Sequence, residues 1–368
     1  MNQTINEVLG INPYSLTPEE KGKKLNPLVI DCFNHHYTHC EKFRIWCDKQ
    51  EYSPNQTINN LSELPYLPVN AFKSILLSSV PDDQIVRKLS SSATSGLPSQ
   101  IPIDQITRQR QMKASLLVMS NFIGYKRKPF FILDEQPRKN SNNELQARAA
   151  ATRGFLVCAS SSDYFLHLDK DKLVADVNKF EAKLSELSTD EICIFGFTYI
   201  LYSYFIKLLK EKKVKFNLKK AKIVHIGGWK KLASEKVPPE QFKKDISETL
   251  GVESQNIIDF YGFTEQMGVL FAECSQGIKH IPTFAEIIIR DFQTLKAVSD
   301  NNKGLIQVLS PIPNSFPGAS IITEDVGKIV LRDNCACGRR GPGFKILGRA
   351  QKAEARGCGD LLSEKVFN

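Results

Sequence analysis

The stretch Ile257-Ile258-Asp259-Phe260-Tyr261-Gly262-Phe263-Thr264-Glu265 joins a short apolar run to a flat ring, a flexible glycine, a hydroxyl and a carboxylate. The apolar run reads as a strand over 257–260, and the glycine ends it. The polar groups then stand at a strand's carboxyl end, which is where ligands bind in α/β sheets, so this reading decides both the fold class and the place of the chemistry. Tyr261 can stack on a base, Gly262 lets the backbone turn, Thr264 can donate to a phosphate, and Glu265 can hold the Mg2+ that nucleotide chemistry needs.

Outward from this stretch, similar apolar runs recur at 130–133, 155–158, 192–195 and 223–226, with helical patterns at 107–122, 171–187, 199–212 and 240–250. The alternation predicts an α/β domain with a largely parallel sheet. Towards the N-terminus, Leu25, Val29, Cys32, Phe33, Tyr37, Phe43 and Trp46 recur at helical spacing over 17–48, which predicts helices packed on the core. His35, His36 and His39 lie among these aromatics and read as packing or surface residues rather than metal ligands. Past residue 277, apolar runs at 285–289, 305–309 and 328–331 follow closely without a helix, which predicts a smaller antiparallel or barrel-like subdomain. The expected division is an α/β core with N-terminal helices over 1–276, a β-rich subdomain over 277–347 and a short tail over 348–368.

With 42% hydrophobic residues in a chain of 368, a large core can be buried and compositional disorder is excluded. The first ten residues are polar and include Glu7, unlike a signal peptide. The most apolar stretch, 192–206, is interrupted by Gly196, Thr198 and Ser203 and is too short to span a bilayer; it reads as strand, turn, helix. Nine scattered cysteines, an odd number, argue against a disulfide framework, so a reducing, cytoplasmic setting is expected. The net charge of +9 comes without a nucleic-acid reader motif, and the lysines over 207–222 read as a solvated surface; an anionic nucleotide or carboxylate substrate suits the charge instead.

Four further segments carry chemistry. Ser91-Ser92-Ala93-Thr94-Ser95-Gly96-Leu97-Pro98-Ser99 gathers hydroxyls around a glycine before a helix; alone it passes for a surface loop, yet it suits the wrapping of phosphate oxygens. The strand 223–226 opens into Gly227-Gly228-Trp229, where backbone can approach a planar ligand and the indole can close a pocket. Thr323-Glu324-Asp325-Val326-Gly327 offers Asp325 to ribose hydroxyls, and Gly348-Arg349 offers a cation. Cys274-x5-His280 and Cys335-x-Cys337 form a plausible tetrahedral Zn2+ set, two ligands from each segment, against the alternative of unrelated thiols and a surface histidine.

Taken in order, the Ser/Thr/Gly loop, the YGxTE stretch, the TxDxG stretch and Gly348-Arg349 resemble the adenylate-forming superfamily. Within it the sequence most resembles the LuxE-type long-chain acyl-protein synthetases over nearly the whole chain, through Asn12-Pro13-Tyr14, the helix around Asn34-His35-His36-Tyr37-Thr38-His39-Cys40, Gly227-Gly228-Trp229-Lys230 and Gly357-Cys358. The resemblance implies the superfamily's large-domain fold, sheets flanked by helices plus a small β-rich subdomain. It also implies ATP, Mg2+, a fatty or other carboxylic acid, an acyl-AMP intermediate, Cys358 as acyl acceptor, and an acyl-transferring or acyl-reducing partner protein. Two departures stand out. The chain ends shortly after Gly348-Arg349, so the mobile C-terminal domain of most members, with its catalytic lysine, is not expected; and Ser99 stands where a lysine usually follows the loop's proline. Arg349, Lys352 and Arg356 are the candidate replacement cations. The CxC pair is similar to a pattern in phenylacetate-CoA-ligase-like members and keeps an acyl- or aryl-CoA ligase as the alternative, with a non-catalytic ATP-binding scaffold as a third reading.

Overall fold

A computed structural model describes residues 4–90, 99–137, 143–170, 172–229 and 236–350. The loop residues Ser91, Ser92, Thr94, Ser95 and Gly96, and Lys230, Lys352, Arg356 and Cys358, therefore lie outside the described residues. The chain forms two compact units: Val118–Gly262 with Ala272–Ser275, and Met1–Leu117 with Phe263–Phe271 and Gln276–Asn368.

The first of these holds a seven-stranded sheet. Its spatial order is Phe271–Ala272, Ile257–Tyr261, Lys222–Ile226, Cys193–Phe197, Lys128–Glu135, Ala159–Asp169, Lys172–Ala175. The five strands from Ile257–Tyr261 to Ala159–Asp169 are parallel, and Lys172–Ala175 pairs antiparallel at the edge. Helices cover the parallel strands, which explains why Cys193–Phe197 is apolar and buried at every position rather than at alternate ones. Four predicted strands and three predicted helices fall where expected, with Leu201–Ile206 wound as a π-helical turn inside the segment 199–212.

Two elements differ from expectation. Residues 155–158 end the helix Asn143–Phe155 and form a 3-10 turn, and the strand starts only at Ala159. The run is apolar because it packs under the sheet: the Phe155 ring lies 4.7 Å from Phe195 and 5.4 Å from Phe260. Likewise the helix expected from 171 starts at Val177, where the Asp176 carboxylate accepts from Lys179 N–H at 2.9 Å as N-cap, while Lys172–Ala175 hairpins back onto the preceding strand.

In the second unit an open sheet runs Lys279–His280, Gly343–Arg349, Ser320–Leu331, Gly304–Leu309, Glu286–Arg290, antiparallel throughout, and Leu67–Pro68 adds in parallel to Ser320–Leu331. This is the predicted β-rich region, antiparallel rather than barrel-like. The helices Pro18–His39 and Glu41–Lys49 arise as predicted, the first fixed by a Thr17/Glu20 capping box, and they bury Phe33, Phe43 and Trp46 in the unit's core.

Candidate active site

In the seven-stranded sheet, Ile226 pairs with Phe260, so Gly227-Gly228-Trp229 and Tyr261-Gly262 leave adjacent parallel strands at the same, carboxyl end. Gly227 has φ +82°, which other residues adopt only under strain, and both glycines are exposed. Thr198 Oγ1 donates to Gly227 O at 2.6 Å and lies 2.9 Å from His225 Nδ1. A threonine hydroxyl has one proton and a carbonyl only accepts, so His225 Nδ1 carries the hydrogen and donates to Thr198. Trp229 is half-buried and stands edge-on to Tyr202 at 5.4 Å and to Phe242 at 6.3 Å. Tyr261 is half-buried at its strand end.

The chain continues from Tyr261-Gly262 into the 3-10 turn Thr264–Gln266, in the other unit. Gln266 Nε2 holds that turn by donating to Gly318 O at 2.7 Å and to Val308 O at 3.1 Å. Glu265 is only 4% exposed, and Ser99, fully buried, donates from its Oγ to Glu265 Oε1 at 2.6 Å. Burial pushes the Glu265 carboxyl above its ordinary range, partly countered by the Ser99 hydrogen bond, a backbone hydrogen bond and the positive charges of Lys73 and Arg349. Ser99 thus has a defined partner. Nearby, Asp325 faces Arg349 in the strand register, and its N–H donates to Thr323 Oγ1 at 3.1 Å. The adjacent Glu324 pairs with Arg349 at 2.8 Å and accepts from Asn70 Nδ2 at 2.6 Å. Asn70, Lys73 and Glu324 are absent from the sequence-based assignment. Glu324 lies inside the TxDxG stretch, but nothing local signals Asn70, 254 positions from its partner.

The four candidate zinc ligands do converge. One ligand atom from each of Cys274, His280, Cys335 and Cys337 lies within 4.8 Å of the others. Cys335 and Cys337 are drawn together by a tight turn: Gly338 N–H donates to Cys335 O at 2.9 Å, with Gly338 at φ +86°. His280 is fully buried with Nε2 3.3 Å from Cys337 Sγ, and burial, reinforced by Arg339, lowers its pKa to about 4, so its ring is the neutral ligand form. Tyr14, from Asn12-Pro13-Tyr14, stands edge-on to His280 at 5.8 Å, and its carbonyl accepts from Arg340 N–H at 3.0 Å. By contrast His35, His36 and His39 act in packing: His36 Nδ1 is 2.8 Å from Ser79 Oγ, His35 Nε2 meets Asn314 O at 3.0 Å, and His39 Nδ1 meets the His35 carbonyl at 2.8 Å. Among the described residues no helix is long and apolar enough to cross a membrane.

A parallel sheet with a glycine turn and a YGxTE turn at its strands' carboxyl ends, and a β-rich unit that carries TxDxG and a strand-end arginine, are features of the adenylate-forming class of ligase folds. Solved structures agree: 2-hydroxyisobutyryl-CoA ligase, in an open conformation with 2-HIB-AMP and CoA, superposes with TM-score 0.69 at 14% identity, covering 91% of this chain and 71% of that one. At that identity the likeness speaks for the fold alone. The chain belongs to the acyl-protein synthetase family LuxE, whose family model matches residues 2–367, and it is accordingly an acyl-adenylate-forming ligase. It is similar to the long-chain-fatty-acid–luciferin-component ligase of Aliivibrio fischeri, 25% identical over 323 residues covering 86% of this chain and 82% of that protein. The protein of the same name from Vibrio harveyi is 22% identical over 355 residues, 96% of this chain and 90% of its own.

Proposed function

We propose that the chain uses ATP to activate a long-chain fatty acid as acyl-AMP and then passes the acyl group to the thiol of Cys358. A carboxylate is a poor electrophile, so one of its oxygens must first become part of a leaving group. The fatty-acid oxygen attacks the α-phosphorus, and pyrophosphate departs. The cysteine thiolate then attacks the acyl carbon, the acyl–phosphate bond breaks, and AMP leaves with its electron pair.

The observation that carries this reading is the buried Glu265 carboxylate, which accepts from Ser99 Oγ at 2.6 Å. A single buried carboxylate beside a hydroxyl fits Mg2+, which keeps waters and substrate phosphate oxygens as its remaining ligands. When bound there, Mg2+ would neutralise charge on the phosphates and favour the ionised form of Glu265. In this reading Thr264 donates to a phosphate oxygen, Arg349 offers positive charge, Asp325 accepts from the ribose hydroxyls, and Tyr261 with Gly227, Gly228 and Trp229 borders the adenylate. Cys274, His280, Cys335 and Cys337 hold a structural zinc, since a closed set of three thiols and one imidazole leaves no position for substrate. The relatives' names support the fatty acid. ATP–pyrophosphate exchange across a panel of carboxylic acids tests the proposal: long-chain acids should drive exchange, whereas ATP binding without exchange for any acid would replace it with the scaffold reading.

A further inference from the structure

The strands Cys193–Phe197 and Lys222–Ile226 pair in parallel and end level, Phe197 opposite Ile226, so Thr198 opens its helical segment beside Gly227. Thr198 is buried; its hydroxyl gives its one proton to Gly227 O at 2.6 Å and accepts from His225 Nδ1 at 2.9 Å. His225 is buried in turn, with its ring 4.7 Å from Phe242 and its Nδ1 3.7 Å from Asp259 Oδ1 on the next strand. Four residues beyond Thr198, the Tyr202 ring meets the Trp229 indole at 5.4 Å, and its hydroxyl is anchored on Asp245. One helical segment therefore grips the turn Gly227-Gly228-Trp229 at both ends. Between those ends Gly228 is exposed, and among the described residues a side chain there would meet nothing within 4 Å.

We propose that Thr198, with His225 behind it, is a positioning residue for the nucleotide: it holds the Gly227 carbonyl against the sheet so that the Gly227-Gly228 backbone meets the nucleoside already ordered. Two successive glycines lose more conformational freedom on ordering than any other pair, and Gly227 sits at φ +82°. If the ligand itself had to order such a turn, that cost would be taken from its affinity. The Thr198 hydrogen bond meets it in the free protein, and His225 fixes which way the hydroxyl proton points. A valine at 198 keeps the shape and removes both hydrogen bonds; a serine keeps both.

This assignment rests on the reading of that turn as a border of the adenylate, and the test separates the two. Equilibrium binding of ATP with Mg2+, of AMP and of pyrophosphate with Mg2+ is measured for wild type, Thr198→Val and Thr198→Ser. The nucleoside is common to ATP and AMP and absent from pyrophosphate. Thr198→Val should therefore weaken ATP and AMP by the same ~5–10-fold and leave pyrophosphate within about twofold, with Thr198→Ser restoring both nucleotides. Unchanged nucleotide affinities in Thr198→Val, even with a lowered Tm, overturn the proposal, and so does a Thr198→Ser as weak as Thr198→Val. A loss shared by pyrophosphate overturns it too, since that marks a collapse of the whole site. Should Thr198→Val not fold, His225→Phe, which keeps a ring against Phe242, and His225→Asn, which keeps a donor where Nδ1 stands, put the same question: nucleotide affinity should fall in the first and return in the second, and equal affinities overturn the proposal. If wild type binds nucleotide but no acid drives pyrophosphate exchange, acyl activation fails while these comparisons still decide Thr198. If wild type binds neither ATP nor AMP, both fall.

Discussion

Glu265 is the buried carboxylate on which the proposed metal contact depends. Its carboxyl is raised by burial, so without a cation this group contributes stability at acid pH that is lost as pH rises through the raised value; a bound cation favours the ionised form and reverses the sign. Glu265→Gln keeps the shape and removes the charge, and it should lower ATP–pyrophosphate exchange at least ~100-fold while the far-UV circular-dichroism spectrum of the fold is retained. Ser99→Ala removes a hydrogen bond that favours the carboxylate, so the acid limb of the exchange-rate profile should move to higher pH; an unmoved limb would detach Ser99 from the titration. Asp325→Ala should mainly raise the KM for ATP, since a ribose contact is equal in ground and transition states; a fall in kcat at constant KM would contradict that role. The strand end and turn from Tyr261 to Glu265 could be read from the sequence because the residues are consecutive and follow an apolar run. Asn70 could not, since its significance comes from pairing with Glu324, 254 positions away, which no local pattern encodes.

Among the elements, the strands with helices beside them were legible wherever an apolar run ended in a glycine or polar turn, as at Ile223–Ile226 and Ile257–Phe260. Residues 155–158 misled because Phe155 and Cys158 are buried for packing reasons that strand and helix share. The edge strand Lys172–Ala175 escaped notice because a four-residue hairpin arm preceding a helix has the helix's own polarity. The π-helical turn Leu201–Ile206 is tied to the helix Pro239–Leu250 by Asp245, which is buried and accepts from Tyr202 at 2.5 Å and Gln241 at 2.8 Å and pairs with Lys210 at 2.6 Å. Burial alone would raise its pKa, but these partners together lower it. Its stabilising share is therefore present above the unfolded value of about 3.9 and lost as pH falls through and below it. Asp245→Asn should cost about 1–3 kcal/mol in urea unfolding at pH 7 and flatten the loss of stability on acidification; equal stability of the two proteins would show that the network contributes nothing net.

For the whole molecule, the four candidate metal ligands come from segments some sixty residues apart, and their spacing suggested a set whose ligand atoms the fold gathers within 4.8 Å. Purified untagged protein should carry about one zinc per chain by elemental analysis, and Cys335→Ser should lose it with a fall in Tm of roughly 5 °C or more; metal-replete protein without zinc would leave these residues as packed thiols. Intact-mass spectrometry after incubation with ATP, Mg2+ and a long-chain fatty acid asks whether activation ends in a covalent acyl-protein. One acyl adduct should form on wild type, released by hydroxylamine and missing from Cys358→Ser, if Cys358 accepts the acyl group. Acyl-AMP formed without any adduct, and turned into product only when CoA is added, would contradict it.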